Sequence, residues 1–174
     1  MNFGFVLKVL YFFIKQNVMK IIMDFKLKSL CIENKINSLK LEKILNIPNA
    51  RLGKYIKQEF YPSVNRAVIL SNYFNCSLDY LVGLSPVKQN GKLNAPNLKK
   101  FFNRLDWLIL EEKSITSFFK NCQLAKTNII RWKKMNDFPR LENLFLISDY
   151  YKISLDYLTG RTDKMEINYE HEIL

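Results

Sequence analysis

The chain has 174 residues, room for one ordinary domain or two small ones, and 48% of them are hydrophobic, which excludes global disorder. With 27 Lys and Arg against 16 Asp and Glu the net charge is +11, an electrostatic footprint suited to nucleic acid or an anionic membrane surface. A single His (His171) and three scattered Cys (Cys31, Cys76, Cys122) with no C-x-x-C pair argue against a zinc site, and no Gly-rich phosphate loop is present, so an enzyme is not expected.

Residues 1–22 form an apolar N-terminal extension within "MNFGFVLKVLYFFIKQNVMKIIM". Lys8, Lys15 and Lys20 interrupt it, leaving less than the ~20 apolar residues of a membrane span. No Ala precedes Ala50, so an A-x-A cleavage site is absent. Two readings stand: a start assigned too early, with Met19 or Met23 opening the protein, or an amphipathic helix that docks on a partner or on the first domain.

The first unit spans 23–84. Asp24 is expected to cap a helix carrying Phe25, Leu27 and Leu30 and ending near Asn34. Asn37 or Ser38 opens a second helix, with Leu41, Ile44 and Leu45 at i, i+3, i+4. Asn46, which tolerates the left-handed region, and Pro48, suited to a first helical turn, mark a tight break. A third helix to about Lys57 presents Leu52, Tyr55 and Ile56 inward. After "QEFYP", Val64, Ala67, Val68, Leu70, Tyr73 and Phe74 mark a fourth, and Ser77 caps a short fifth with Asp79 in its first turn and Gly83 at its end.

The polar stretch 85–96, "SPVKQNGKLNAP", reads as a linker. A second unit at 97–163 repeats the plan: Phe101, Phe102, Leu105 and Leu108; Phe118, Phe119 and Cys122; Ile129 and Trp132; Leu141 to Tyr150; then Ser154 as the last cap. At an offset of 77 the identities include Pro62/Pro139, Ser71/Ser148, Tyr73/Tyr150, and "SLDYL" at Ser77–Leu81 and Ser154–Leu158. This predicts a duplicated small helical domain, all-α, followed by an acidic tail at 164–174. Cys31 and Cys122 sit among apolar helical neighbours, as reduced core cysteines in a reducing, cytosolic compartment do.

In the middle of each copy, "LEKILNIPNARLGKYIK" and "FFKNCQLAKTNIIRWKK" place a short helix, a tight turn and a second short helix in succession. Once inward residues are removed, the second helix presents Asn49, Ala50, Arg51, Lys54 and Lys57 in one copy and Lys126, Thr127, Asn128, Arg131 and Lys134 in the other. Neither segment, 48–57 or 125–134, contains an acid. Arg pairs bidentately with guanine and Asn with adenine, while Lys and Thr serve bases or phosphates. A solvated Lys/Asn face is the bland alternative; its repetition at matching positions favours readout.

These two segments, with "FPRLENLFLISDYYKISLDYLTGRTD", resemble the phage-repressor and Cro-like (XRE-type) helix-turn-helix family. The resemblance implies two tandem five-helix domains of lambda-repressor-like type that bind double-stranded operator DNA and regulate transcription, as a repressor of phage or mobile-element kind. The family's base-contacting positions fall on Asn49, Ala50, Arg51 and Lys54, and on Lys126, Thr127, Asn128 and Arg131. The start of its second helix falls on Ser38, and on Thr116 or Ser117. Where the family carries Gly in its turns, this chain has Asn46 and Gln123, then Gln58 and Met135, so left-handed non-Gly residues are expected there.

The expected partners are therefore operator DNA and a homodimer or internal pseudo-dimer, with no membrane, metal or cofactor, in the nucleoid-associated cytoplasm of a bacterium. The alternative is a protein-interaction module (antitoxin, anti-repressor or adaptor), with exposed Phe60 and Tyr61 meeting the partner.

Overall fold

A computed structural model describes residues 23–88, 93–125 and 127–169; the N-terminal extension, Lys126 and the end of the acidic tail lie outside the described residues. The chain is all-α. Among the described residues ten helices fall in two runs of five and no strand occurs. The first run is α1 (Leu27–Glu33), α2 (Ser38–Leu45), α3 (Asn49–Ile56), α4 (Val64–Tyr73) and α5 (Leu78–Leu81). The second is α6 (Leu98–Glu111), α7 (Ile115–Asn121), α8 (Thr127–Met135), α9 (Leu141–Tyr151) and α10 (Leu155–Leu158).

Local chemistry sets most of the boundaries. Asn37 caps α2 by accepting from the Lys40 amide, and Ser114 caps α7 through the Thr116 and Ser117 amides. Helix α7 thus begins one residue later than its cap, and Thr116 and Ser117 occupy its first turn. Asn46 closes α2 at φ 53°, and its amide bonds the Glu42 carbonyl at 2.9 Å. Gln123, one residue past the α7 C-cap Cys122, is also left-handed at φ 55°, its amide bonding the Lys120 carbonyl at 3.1 Å. Pro48 stands one residue outside α3, as its N-cap.

Four expectations are corrected. Asp24 does not cap α1: Lys26 holds the cap position, and Asp24 instead pairs with the Lys26 ammonium at 2.9 Å. Ile44 is half exposed, because the buried face of α2 is only wide enough for Leu41 and part of Leu45. Tyr73 and Tyr150 are exposed at 37% and 45%, leaving neighbouring residues of α4 and α9 to fill the core. In the second half the left-handed residue after the third helix is Asn136 (φ 48°), not Met135, because α8 runs on through Met135; Gln58 (φ 55°) holds the expected place in the first half.

Each half closes on itself where its last helix meets its first. The Lys26 amide bonds the Leu81 carbonyl, and the Asn97 amide the Thr159 carbonyl, both at 2.9 Å. The glycines ending α5 and α10 sit against these closures in the left-handed region, Gly83 at φ 81° and Gly160 at φ 79°. A Cβ on Gly160 would lie 2.9 Å from Cβ of Asn97, so the position needs both the missing side chain and the positive φ.

The two halves then pack on each other through α5 and α10 and through the segments before α4 and α9, where Ser63 and Arg140 form an isolated antiparallel bridge. Ser63 and Arg140 are 77 positions apart, as are Asp79 and Asp156, so the contact joins equivalent surfaces around a pseudo-two-fold axis. Stretches expected to be linker and tail are held against the half that precedes each. The Ser77 amide bonds the Lys88 carbonyl and the Ser154 amide the Met165 carbonyl, both at 2.8 Å, and Ile167 is buried.

Candidate nucleic-acid interface and the junction beneath it

Helices α3 and α8 turn their apolar stripes inward. Leu52 and Tyr55 on α3, and Ile129 and Trp132 on α8, are buried. The remaining faces point out: Ala50, Arg51, Lys54 and Lys57 are exposed on or beside α3, and Thr127, Arg131 and Lys134 on α8. Asn49 and Asn128 are half-buried at the two helix starts, and the Asn49 Oδ1 is buried with no hydrogen-bond partner. Ser38 and Ser117 are half-buried and Thr116 exposed, each in the first turn of the preceding helix. Lys126 lies outside the described residues.

Among the described residues none of the cations at positions 51, 54, 57, 131 and 134 makes a salt bridge, although Lys54 lies over the Phe60 ring at 5.6 Å. Lys133, by contrast, is tied to Asp106 at 2.8 Å. The structure thus leaves on α3 and α8 two acid-free faces of uncommitted donors. Of Phe60 and Tyr61, expected as exposed aromatics, Phe60 is exposed at 38% and Tyr61 is not. Phe60 packs edge-on to Tyr55 at 5.2 Å, and Tyr61 is half-buried against Phe25 at 5.6 Å.

What fixes these faces relative to each other is a polar junction built from the doubled "SLDYL". Ser77 and Ser154 cap their own helices as expected, accepting from the amides of Tyr80 and Tyr157. Asp79 and Asp156 reach across instead. Asp79 accepts the Leu155 amide (2.6 Å) and the Ser154 hydroxyl (2.5 Å), and Asp156 accepts the Leu78 amide (2.7 Å). Each carboxylate therefore caps the partner helix, where free amides favour negative charge.

The junction is chemically lopsided. Arg161, fully buried, pairs with Asp156 at 2.5 Å and donates to Ser71 Oγ (3.2 Å), Asn72 Oδ1 (2.6 Å) and the Asn94 carbonyl (3.1 Å). It thereby ties the second half to α4 of the first half. Position 84, its equivalent, is Leu. Asp79 thus has no guanidinium, and burial, followed by the charge of Asp156, pushes its carboxyl up to about 7. Burial also raises Asp156, and Arg161 opposes that rise.

Equivalent residues of the two halves, among them Tyr55 and Trp132, Pro62 and Pro139, line a cavity of about 490 Å³, which places it on the pseudo-axis. Arg51, Arg66, Arg131 and Arg140 line it from both halves, with Tyr55 and Trp132 among its walls. Tyr61 and Glu142 also line it, and each keeps a buried oxygen without a hydrogen-bond partner. Arg161 and this cavity were not foreseen from the sequence. Arg161 falls outside the repeat identities, and the cavity gathers residues from segments about 80 positions apart.

All three cysteines are free and buried. Among the described residues no group of three or more His, Cys, Asp or Glu could hold a metal, and no helix is long and apolar enough to cross a membrane. No family model matches the chain, and neither the curated proteins nor the solved structures give a match.

Proposed function

We propose that the chain is a sequence-specific, double-stranded DNA-binding transcriptional regulator of repressor type, made of two helix-turn-helix units that form an internal pseudo-dimer. In each unit α2–α3 and α7–α8 are the motif, and α3 and α8 are the recognition helices. The observation carrying this reading is the pair of acid-free outward faces, on which, among the described residues, Arg51, Lys54, Lys57, Arg131 and Lys134 make no salt bridge, set in equivalent positions of one pseudo-symmetric body. Buried cations would need partners inside the protein, whereas uncommitted ones on a convex helix suit phosphates and base edges.

The mechanism needs no catalysis. Arg51 and Arg131 read guanine edges, Thr127 and Asn128 at the start of α8 read neighbouring bases, and Lys54, Lys57 and Lys134 hold phosphates. Occupancy of an operator then blocks polymerase sterically. Because "NARLGK" and "KTNIIR" differ at their outward positions, the two half-sites would differ in sequence, and one chain would mark the orientation of its operator.

The protein-docking alternative loses Tyr61, half-buried against Phe25, and keeps Phe60. Selection of bound sites from random duplex DNA tests the proposal directly, with a salt titration of the winning site. Two different half-sites and an affinity falling steeply with salt are expected. Recovery of no enriched sequence, together with salt-independent binding to a protein partner, would overturn it.

A further inference from the structure

We propose that the cavity on the pseudo-two-fold axis binds a mononucleotide, its phosphate held by the arginines, its base against the aromatic wall and an exocyclic amino group directed to Glu142. The volume, about 490 Å³, falls within the ~300–1,000 Å³ of small-molecule sites. Among the described residues Arg51, Arg66, Arg131 and Arg140 make no salt bridge, yet all four line one space. Asp137 and Glu142 line the same space, so the four guanidiniums outnumber its carboxyls by two, and a phosphate offers several acceptor oxygens to guanidinium forks.

An inorganic anion would satisfy only that end. Phe60, exposed at 38%, and the half-buried Phe138 give the cavity accessible aromatic surface of the kind on which a base stacks, backed by the buried Tyr55 and Trp132. Glu142 Oε2 and the Tyr61 hydroxyl are buried and lack partners, and leaving such groups unpaired costs free energy. The Glu142 carboxyl repels a second anion but accepts from an amino group, while the Tyr61 hydroxyl can donate to a ring nitrogen or carbonyl. A ligand anionic at one end, flat in the middle and donor-bearing at the other meets all three requirements. Duplex DNA offers the same phosphate, but its bases would have to leave the stack to enter.

Regulation follows if the DNA reading above holds, and on this point alone the inference rests on that reading. Arg51 and Arg131 belong both to the cavity and to the two recognition faces, so a bound nucleotide neutralises donors that DNA needs.

The test uses the full chain and isothermal titration with GMP, AMP, UMP, guanosine and inorganic phosphate. One GMP per chain is expected, with guanosine and phosphate each at least about tenfold weaker. Arg66→Ala and Glu142→Gln, neither on the proposed DNA faces, should each weaken GMP about tenfold or more, the loss typical of a charged hydrogen bond. Glu142→Gln should leave UMP, which has no amino group, unchanged. Should either variant fail to fold, Arg140→Ala and Tyr61→Phe take its place.

GMP binding no tighter than phosphate, or a Glu142→Gln protein that binds GMP like the parent, would overturn the proposal. A second arm titrates the selected duplex with and without GMP. Duplex binding without any GMP binding refutes the nucleotide site and leaves the DNA reading intact. GMP binding with no duplex retained does the reverse. A rise in the apparent duplex Kd with GMP supports the coupling between them.

Discussion

Replacing Asp79 by Asn isolates the electrostatics of the junction. The folded carboxyl is pushed from an ordinary 3.8 up to about 7 by burial and by Asp156. A raised pKa means that the folded state holds the proton more tightly than the unfolded chain. The resulting stability is fully present below about pH 4 and is lost as pH rises through about 7. The shift corresponds to at most about 4 kcal/mol. For a chain of this size each kcal/mol moves Tm by roughly 2–4 °C, so up to ~8–16 °C is at stake. Asn is nearly isosteric. Its carbonyl can accept the Leu155 amide and its NH2 can donate to Ser154 Oγ, so the cap survives while the charge is removed. Thermal unfolding of the parent and Asp79→Asn proteins at intervals from pH 4 to 8 gives a difference that isolates Asp79 together with its charge interaction with Asp156, while the titrations of distant groups cancel. The variant should gain on the parent steadily as pH rises and be the more stable at pH 8. A difference that stays flat, or a variant that loses ground above pH 6, would show that Asp79 ionises without cost and refute the reasoning.

Three further outcomes follow from the same contacts. Arg161→Met strands Asp156 and removes the ties to Ser71 and Asn72, so urea denaturation at pH 7 should show a loss of about 3–5 kcal/mol, as for breaking a buried pair. Arg51→Ala and Arg131→Ala should each cost the selected duplex about 1–3 kcal/mol in a binding titration, with thermal stability unchanged because both side chains are exposed. Gly53→Ala, with nothing within 4 Å of the new Cβ, should stabilise α3 by about 0.5–1 kcal/mol, whereas Gly160→Ala should destabilise by more than that because φ is positive and Asn97 is in the way; calorimetry of the pair tests both signs.

Local signals make much of the fold legible in the sequence. Asn37, Ser77 and Ser154 cap where they should, Asn46 and Gln123 take the left-handed turns, and the inward stripes of α3 and α8 follow their periodicity. Harder to read was anything depending on the other half. Asp79 and Asp156 were expected in the first turns of their own helices, and they do stand there, but their carboxylates cap the opposite helix. A capping preference looks identical whether the amides belong to the same helix or to another. Arg161 left no trace in the repeat, because Leu84 occupies its counterpart and only one copy needs the guanidinium. Ile44, Tyr73 and Tyr150 erred in the other direction: an apolar residue at helical spacing indicates a face but not how far that face is covered.

The reciprocal capping of α5 and α10 also sets how the molecule responds to dilution. A two-fold interface between separate chains dissociates at low concentration, so anything gripped by both protomers is bound with a quadratic dependence on protein. Here both surfaces belong to one polypeptide, and the junction forms at an effective concentration set by about a dozen connecting residues. A ligand spanning both halves should therefore titrate along a simple hyperbola down to vanishing amounts of protein, giving a graded response in a cell that holds only a few copies. The same covalent link frees the two sides to diverge. In a homodimer every substitution is made twice, and an arginine at position 161 would acquire a twin whose charge the buried junction would also have to accommodate.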